Sequence, residues 1–274
     1  MMTEVLKAIV FGILEGITEW LPVSSTGHLI LLNEFMQFNV SKEFWSMFEV
    51  VIQFGAIMAV VILFWKKLWP FSKKEKYFIK QDIFTMWIKI AIACIPAVIL
   101  KIVFGDVIET LFYNYWVIAI ALITFGVAFI IIENRNKMKP AVINSIQEIT
   151  FKAAFIIGIF QLIAAVFPGT SRSGATILGG ILIGVARSVS AEFTFFLAVP
   201  VMFGASLLEI LEFGINYTGS EVVILLTGMV VAFIVSVVVI RFLMGYIKKH
   251  DFKIFGWYRI ILGCVVILYF SVFH

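Results

Sequence analysis

Residues 15–28 read Glu15-Gly-Ile-Thr-Glu19-Trp-Leu-Pro22-Val-Ser24-Ser25-Thr26-Gly27-His28, a polar stretch set inside apolar sequence. On a helix Glu15 and Glu19 lie one turn apart and share a face. Pro22 ends that helix, and Ser24-Ser25-Thr26-Gly27 forms a short polar turn before the apolar run resumes at Leu29. A charge at the centre of a bilayer costs about 2.5–3.5 kcal/mol on insertion scales, so it persists there only when paired, solvated or used. The stretch therefore predicts a broken helix that carries working carboxylates inside a membrane domain.

The rest of the chain supplies that membrane domain. Of 274 residues, 62% are hydrophobic and 14% charged, against roughly 45–50% and about 25% in soluble proteins. Mean hydropathy is +1.08. The fold class is an all-α polytopic membrane protein, and the net charge of +4 is a matter of topology. No Lys/Arg-aromatic pattern for nucleic acid is present. Cys94 and Cys264 lie in apolar spans without metal-like spacing and read as buried small hydrophobes. Met1 to Leu14 leads into the motif with no small-residue cleavage site, so it reads as part of the fold.

About 20 apolar residues cross a bilayer as a helix. Six stretches qualify: Glu49–Trp65, Met86–Phe104, Trp116–Ile132, Glu192–Leu211, Val222–Leu243 and Trp257–Phe273. Two others, Val5–Leu21 and Phe151–Phe167, end at a proline and a polar turn and resume as Leu29–Met36 and Ala175–Val185. An arm of about 14 residues reaches roughly 21 Å, enough to turn back near the midplane. Both are predicted to be re-entrant helical hairpins whose turns face the protein interior. Gly12/Gly16 and Gly180/Gly184 should let their arms pack closely.

The two hairpins align as copies. Gly12 matches Gly158, Pro22 matches Pro168, and Ser25 matches Ser171, whereas Glu15 and Glu19 face Gln161 and Ala165. Basic residues cluster at Lys66–Lys80, Arg135–Lys139 and Lys248–Lys253. Segments Gly105–Tyr115 and Glu212–Glu221 carry Asp106, Glu109, Glu212 and Glu221 but no Lys or Arg. The basic loops are read as cytoplasmic and the acidic ones as external. Three spans separate the hairpins, so the second copy is inverted relative to the first. The expected organisation is one membrane domain over 1–274. Repeat 1 covers about 1–132 and repeat 2 about 150–274, joined by cytoplasmic loop 133–149. Trp65, Trp69 and Trp257 fit interfacial belts.

Bringing the turns together assembles Glu15, Glu19, Ser24, Ser25, Thr26 and His28 with Thr170, Ser171, Arg172 and Ser173. A guanidinium offers a planar fork of donors suited to phosphate. The Thr170-Ser-Arg-Ser-Gly174 turn opens a helix, whose free amides and dipole favour an anion. Arg172 could equally neutralise Glu15 or Glu19 at rest. Two carboxylates beside a phosphate pocket suggest Mg²⁺ or Ca²⁺, both oxygen-seeking cations. His28 is a candidate general acid or base. There is no His-Glu-x-x-His zinc site, and a phosphatase mechanism with two core histidines is excluded, since His250 lies in a loop and His274 ends the chain.

On these residues the chain resembles the bacterial undecaprenyl-diphosphate phosphatases, the integral-membrane type associated with bacitracin resistance. The resemblance covers essentially the whole chain. It rests on Glu15-Gly-Ile-Thr-Glu19, on Leu21-Pro-Val-Ser-Ser-Thr-Gly-His28 and on Pro168-Gly-Thr-Ser-Arg-Ser-Gly174. It implies hydrolysis of undecaprenyl diphosphate, a lipid substrate taken from the membrane, and a divalent cation held by Glu15 and Glu19. It also implies a site in the bacterial inner membrane that opens to the external side. Carried over residue by residue, Glu19, Ser25, His28 and Arg172 are catalytic. Ser24, Thr26, Gly27, Ser171, Arg172, Ser173 and Gly174 surround the diphosphate. A homodimer is a further candidate assembly. The competing readings are a secondary transporter or prenyl-phosphate flippase, since inverted broken hairpins are a transporter design, and an intramembrane serine protease, which lacks a Gly-x-Ser-x-Gly motif.

Overall fold

The computed structural model describes residues 2–273 except 74, 76, 77, 138 and 216, and it leaves out the side chains of Asp106 and Glu109. Lys74 and Lys76 of the first basic loop, and His274, therefore lie outside the described residues. Eleven helices occur among them, with no strand beyond two isolated bridges, Phe71–Ile79 and Ile143–Val185. They are α1 (Met2–Thr18), α2 (Ser25–Phe35), α3 (Lys42–Leu63), α4 (Trp65–Leu68), α5 (Gln81–Phe112) and α6 (Tyr115–Asn136). After a loop come α7 (Phe151–Val166), α8 (Arg172–Leu182), α9 (Arg187–Phe213), α10 (Gly219–Tyr246) and α11 (Lys253–Phe273).

Six of these (α3, α5, α6, α9, α10, α11) are long and apolar enough to cross a membrane, and they coincide with the six expected spans. The helices overrun the apolar runs because polar caps start them early. Ser41 accepts the Phe44 amide, Asn114 the Val117 amide, and Thr218 forms a reciprocal box with Glu221. Helix α5 continues through Phe112, so most of the expected external loop Gly105–Tyr115 is helical. Trp65 and Trp69 stack at 4.7 Å beside the basic loop and are exposed, as is Trp257. Cys94 is half-buried; Cys264, contrary to expectation, faces outward on α11.

The two broken helices form matching pairs. Helices α1 and α7 have 17 and 16 residues, and α2 and α8 have 11 each. Each first arm packs through its matched glycine against a long helix from the other half of the chain. A β-carbon at Gly12 would lie 2.6 Å from the Gly228 carbonyl oxygen on α10, and one at Gly158 would lie 2.5 Å from that of Ala93 on α5. Backbone-to-backbone approach of this kind tolerates only glycine. The expectation for Gly180 holds, since a β-carbon there would meet Ser190 Oγ at 2.5 Å. Gly184 differs: it has room around it and instead supplies a positive φ of 87° just past the end of α8.

At the end of the molecule carrying the basic loops, Arg187 is held by both carboxylate oxygens of fully buried Glu133, which also accepts the Phe252 amide at 3.1 Å. This one carboxylate ties α6, the start of α9 and the α10–α11 connection together.

Candidate active site

The hairpin turns are built alike. Ser24 and Ser171 each occupy the cap position with φ of 73° and 68°, and each hydroxyl accepts the amide three residues on, Gly27 or Gly174. A positive φ on a non-glycine residue is strained and holds only where surrounding bonds enforce it. This geometry pairs Ser24, not Ser25, with Ser171, and therefore Ser25 with Arg172. The one-residue shift arises at Gly169, the extra residue of the second turn. Its φ is 90°, and a β-carbon there would lie 2.5 Å from the Ile118 carbonyl oxygen.

The two turns meet at Glu19. Arg172 Nη2 donates to Glu19 Oε1 at 2.8 Å, and Ser25 Oγ donates to Oε2 at 3.2 Å. Ser173 Oγ, from the second hairpin, donates to the Glu19 backbone oxygen at 2.9 Å. Arg172 Nη1 is steadied by the Thr194 carbonyl at 3.3 Å, and the Thr194 hydroxyl reaches Thr176 on α8 at 2.9 Å. Both Glu19 and Arg172 are largely shielded, with side chains 8% and 16% exposed. A charge pair of that kind is strong enough to hold two loops in register, yet its net stabilisation over an apolar contact is small. It can therefore open when another anion competes for the guanidinium.

Glu15 lies one turn before Glu19 and is fully buried, and neither of its carboxylate oxygens has a hydrogen-bond partner among the described residues. Glu19, Arg172 and Glu49 of α3 are within electrostatic range of it. The first turns of α2 and α8 both end in this space, and their leading amides lack intrahelical acceptors. Carboxylates, guanidinium, hydroxyl and two positive helix ends thus occupy one small volume.

The remaining expected residues divide by task. Thr26 is half-buried on the first turn of α2, beside Ser25. Ser24, Ser171 and Ser173 are engaged as caps and cross-links, with Ser171 Oγ 3.2 Å from Ser173 Oγ. His28 does not hydrogen-bond Ser25 in this arrangement. Its Nδ1 lies 2.7 Å from the Ser24 carbonyl oxygen and its Nε2 lies 2.6 Å from the Tyr258 hydroxyl. Thr170 is buried behind the second turn with its hydroxyl unpartnered among the described residues.

Two residues on α11 escaped the reading of the sequence. Arg259 is fully buried and donates to the carbonyl oxygens of Pro22 at 3.3 Å and Gly169 at 3.1 Å, one from each turn. Its guanidinium carbon sits 5.8 Å from the centroid of the Phe125 ring. Tyr258, the residue before it, holds His28. The signal was available in principle: Arg259 is a cation within an apolar span.

Comparison with known proteins gives a consistent result. The family described as bacitracin resistance protein BacA matches residues 8–265. The chain is similar to a protein of Desulfitobacterium hafniense named undecaprenyl-diphosphatase, with 63% identity covering 98% of this chain and 97% of the other. It is similar to an undecaprenyl-diphosphatase 1 of Clostridium acetobutylicum at 62% identity, covering 98% of each chain. An undecaprenyl-diphosphatase of Enterococcus faecalis is 56% identical over 97% of this chain and 96% of its own.

Proposed function

Because the chain belongs to the bacitracin resistance protein BacA family, we propose that the meeting of its two hairpin turns is the active site of the family reaction. The chain hydrolyses undecaprenyl diphosphate to undecaprenyl phosphate and inorganic phosphate, returning the lipid carrier to envelope synthesis. One observation carries the assignment to this site. A single carboxylate, Glu19, simultaneously bonds the guanidinium of one hairpin and the hydroxyl of the other.

The proposed reaction uses that geometry. The diphosphate displaces Glu19 from Arg172 and takes the guanidinium fork together with the leading amides of α2 and α8. These donors stay fixed as negative charge spreads over the terminal phosphoryl group. Freed from Arg172 but still bonded to Ser25, Glu19 accepts the proton as Ser25 Oγ, or a water in its place, attacks the terminal phosphorus. The bond to the bridging oxygen breaks, and undecaprenyl phosphate leaves. If serine attacks, water then releases phosphate from it. Ser25, Thr26 and Arg172 touch phosphate, whereas Ser24, Ser171 and Ser173 hold the turns that present them.

A divalent cation fits the residues present. Glu15 is an unpartnered buried carboxylate, and a hard cation is the natural counter-charge for it. No cluster of three or more metal-ligating side chains exists among the described residues, so Glu15 and Glu19 are the residues that would hold Mg²⁺ or Ca²⁺. When bound, the cation neutralises charge on the diphosphate.

The repeat assignment and the orientation belong to the same proposal: two inverted halves in the bacterial inner membrane, with the basic end cytoplasmic. Aromatic packing on the basic side of the turns supports an external opening. Fully buried Trp20 meets Phe195 edge-on at 5.2 Å, and Phe64 covers Phe196 at 5.4 Å. Next to them, Lys67 pairs with Glu192 at 2.6 Å. The prenyl tail remains among the apolar helices and enters sideways.

The test is phosphate release by the purified chain in detergent, with undecaprenyl diphosphate and Mg²⁺ or Ca²⁺. Wild type should release phosphate and Arg172→Ala should not. A wild-type protein that releases none overturns the assignment.

A further inference from the structure

His28 bonds neither to Ser25 nor to Glu19, and what holds it is a residue on the last helix. The Ser24 carbonyl, 2.7 Å from Nδ1, can only accept, so Nδ1 carries the hydrogen. In the neutral ring Nε2 is then the bare nitrogen. The Tyr258 hydroxyl, 2.6 Å away, donates to it. The phenol and imidazole rings are nearly parallel, 8° apart with centroids at 5.6 Å, so the ring plane is fixed as well as the bond. Ser24 is itself the strained cap that precedes Ser25 on α2.

We infer that Tyr258 is a positioning residue for the phosphatase reaction: it locks His28 in the Nδ1–H form and, through the His28–Ser24 bond, holds the turn that presents Ser25. The inference rests on the hydrolase reading above. A histidine's tautomer is set by the partner of its other nitrogen. Removing the hydroxyl frees Nε2 to take the hydrogen, which breaks the Nδ1 bond to Ser24 and lets the strained turn relax. Tyr258→Phe keeps the ring and the stacking and removes only the donor.

Two measurements test it. First, ¹⁵N NMR of histidine-labelled protein carrying His250→Gln and His274→Gln reads the His28 tautomer without substrate. The native Tyr258 protein should show the Nδ1–H signature; an Nε2–H or doubly protonated ring overturns the inference even if no variant folds. Second, phosphate release should show kcat lowered about tenfold in Tyr258→Phe with KM within about twofold, the scale on which groups orienting a reacting residue act. In a His28→Ala background the same change should have no further effect. An unchanged kcat, or an equal loss in both backgrounds, overturns it. Absence of phosphate release by wild type counts against the hydrolase reading and leaves the NMR result to decide the Tyr258–His28 relation.

Discussion

A β-carbon on Gly174 would lie 2.8 Å from Nη1 of Arg259. Gly174 sits in the first turn of α8, and Arg259 is the buried cation that holds a carbonyl from each hairpin turn. The guanidinium is fully buried and bonded to both turns, so a shift that makes room for the methyl strains those bonds. Gly174→Ala is expected to lower kcat/KM about tenfold or more, on the scale of a small misplacement of reacting groups. In an Arg259→Lys background, where no Nη1 remains, the added methyl should matter less. Equal losses in the two backgrounds, measured by phosphate release, would show that the methyl acts elsewhere.

At rest Arg172 gives Glu19 one nitrogen, Nη2, while Nη1 bonds the Thr194 carbonyl; in the proposed mechanism the diphosphate takes both arms of the fork. Arg172→Lys retains the charge but cannot present two parallel donors. It should reduce turnover by about 10²-fold, and Arg172→Ala by at least as much. Wild-type-like turnover in the lysine variant, with the substrate saturating, would remove bidentate phosphate binding from the mechanism.

Glu15 and Glu19 are separated by what they touch. Glu19 is bonded to Arg172 and Ser25, whereas Glu15 has no partner among the described residues. Glu15→Gln should therefore change mainly the cation requirement, raising the Mg²⁺ or Ca²⁺ concentration for half-maximal activity. Glu19→Gln should lower the maximal rate even at saturating cation. Chelation with EDTA should abolish wild-type activity, and the added cation should restore it. An unaltered cation titration in Glu15→Gln would take that residue out of the metal site.

How much of this was legible in sequence depends on the distance over which a residue acts. The six spans were visible because apolar length alone marks a membrane helix. Their ends were not, because Ser41, Asn114 and Thr218 cap them through local hydrogen bonds outside the apolar runs. The polar turns stood out against their surroundings, and the meeting of Glu19 with Arg172 followed from pairing the hairpins. The register of that pairing was off by one at the caps, since Gly169 is absorbed by a backbone conformation that aligned letters do not show. Arg259 and Tyr258 were passed over inside a span, and Glu49 at the edge of another. Which turn a lone cation reaches is settled by packing across 237 positions of chain, which no local pattern encodes.

Glu133 offers a contrast between stability and catalysis. It is buried and charged, it is held by Arg187, and it lies at the end of the molecule carrying the basic loops. Removing Glu133 leaves the buried Phe252 amide without its acceptor and the partly exposed Arg187 without its counter-charge. Glu133→Ala should destabilise the fold by about 1–3 kcal/mol, read as a lower unfolding midpoint in detergent. Activity per folded molecule should be retained. A variant of native stability would mean that the pair contributes no more than an exposed one.

Gln161 tests whether the site is asymmetric. It stands in α7 where Glu15 stands in α1, counted from the matched glycines Gly158 and Gly12, and it is equally buried. Its amide nitrogen and oxygen also lack partners among the described residues. If the two hairpins shared the chemistry evenly, replacing either residue would impair it. The carboxylates, Ser25 and His28 all belong to the first hairpin, while the second contributes Arg172 and helix-end amides. Gln161→Leu should therefore leave phosphate release within about threefold of wild type. It should not lower the melting temperature, because an apolar side chain of similar size replaces an unsatisfied buried amide. Glu15→Leu, the same change in the mirror position, should abolish cation-dependent activity. A loss in Gln161→Leu as deep as that in Glu15→Leu would mean that both arms reach the reacting phosphate, and that the first hairpin alone does not define the catalytic face.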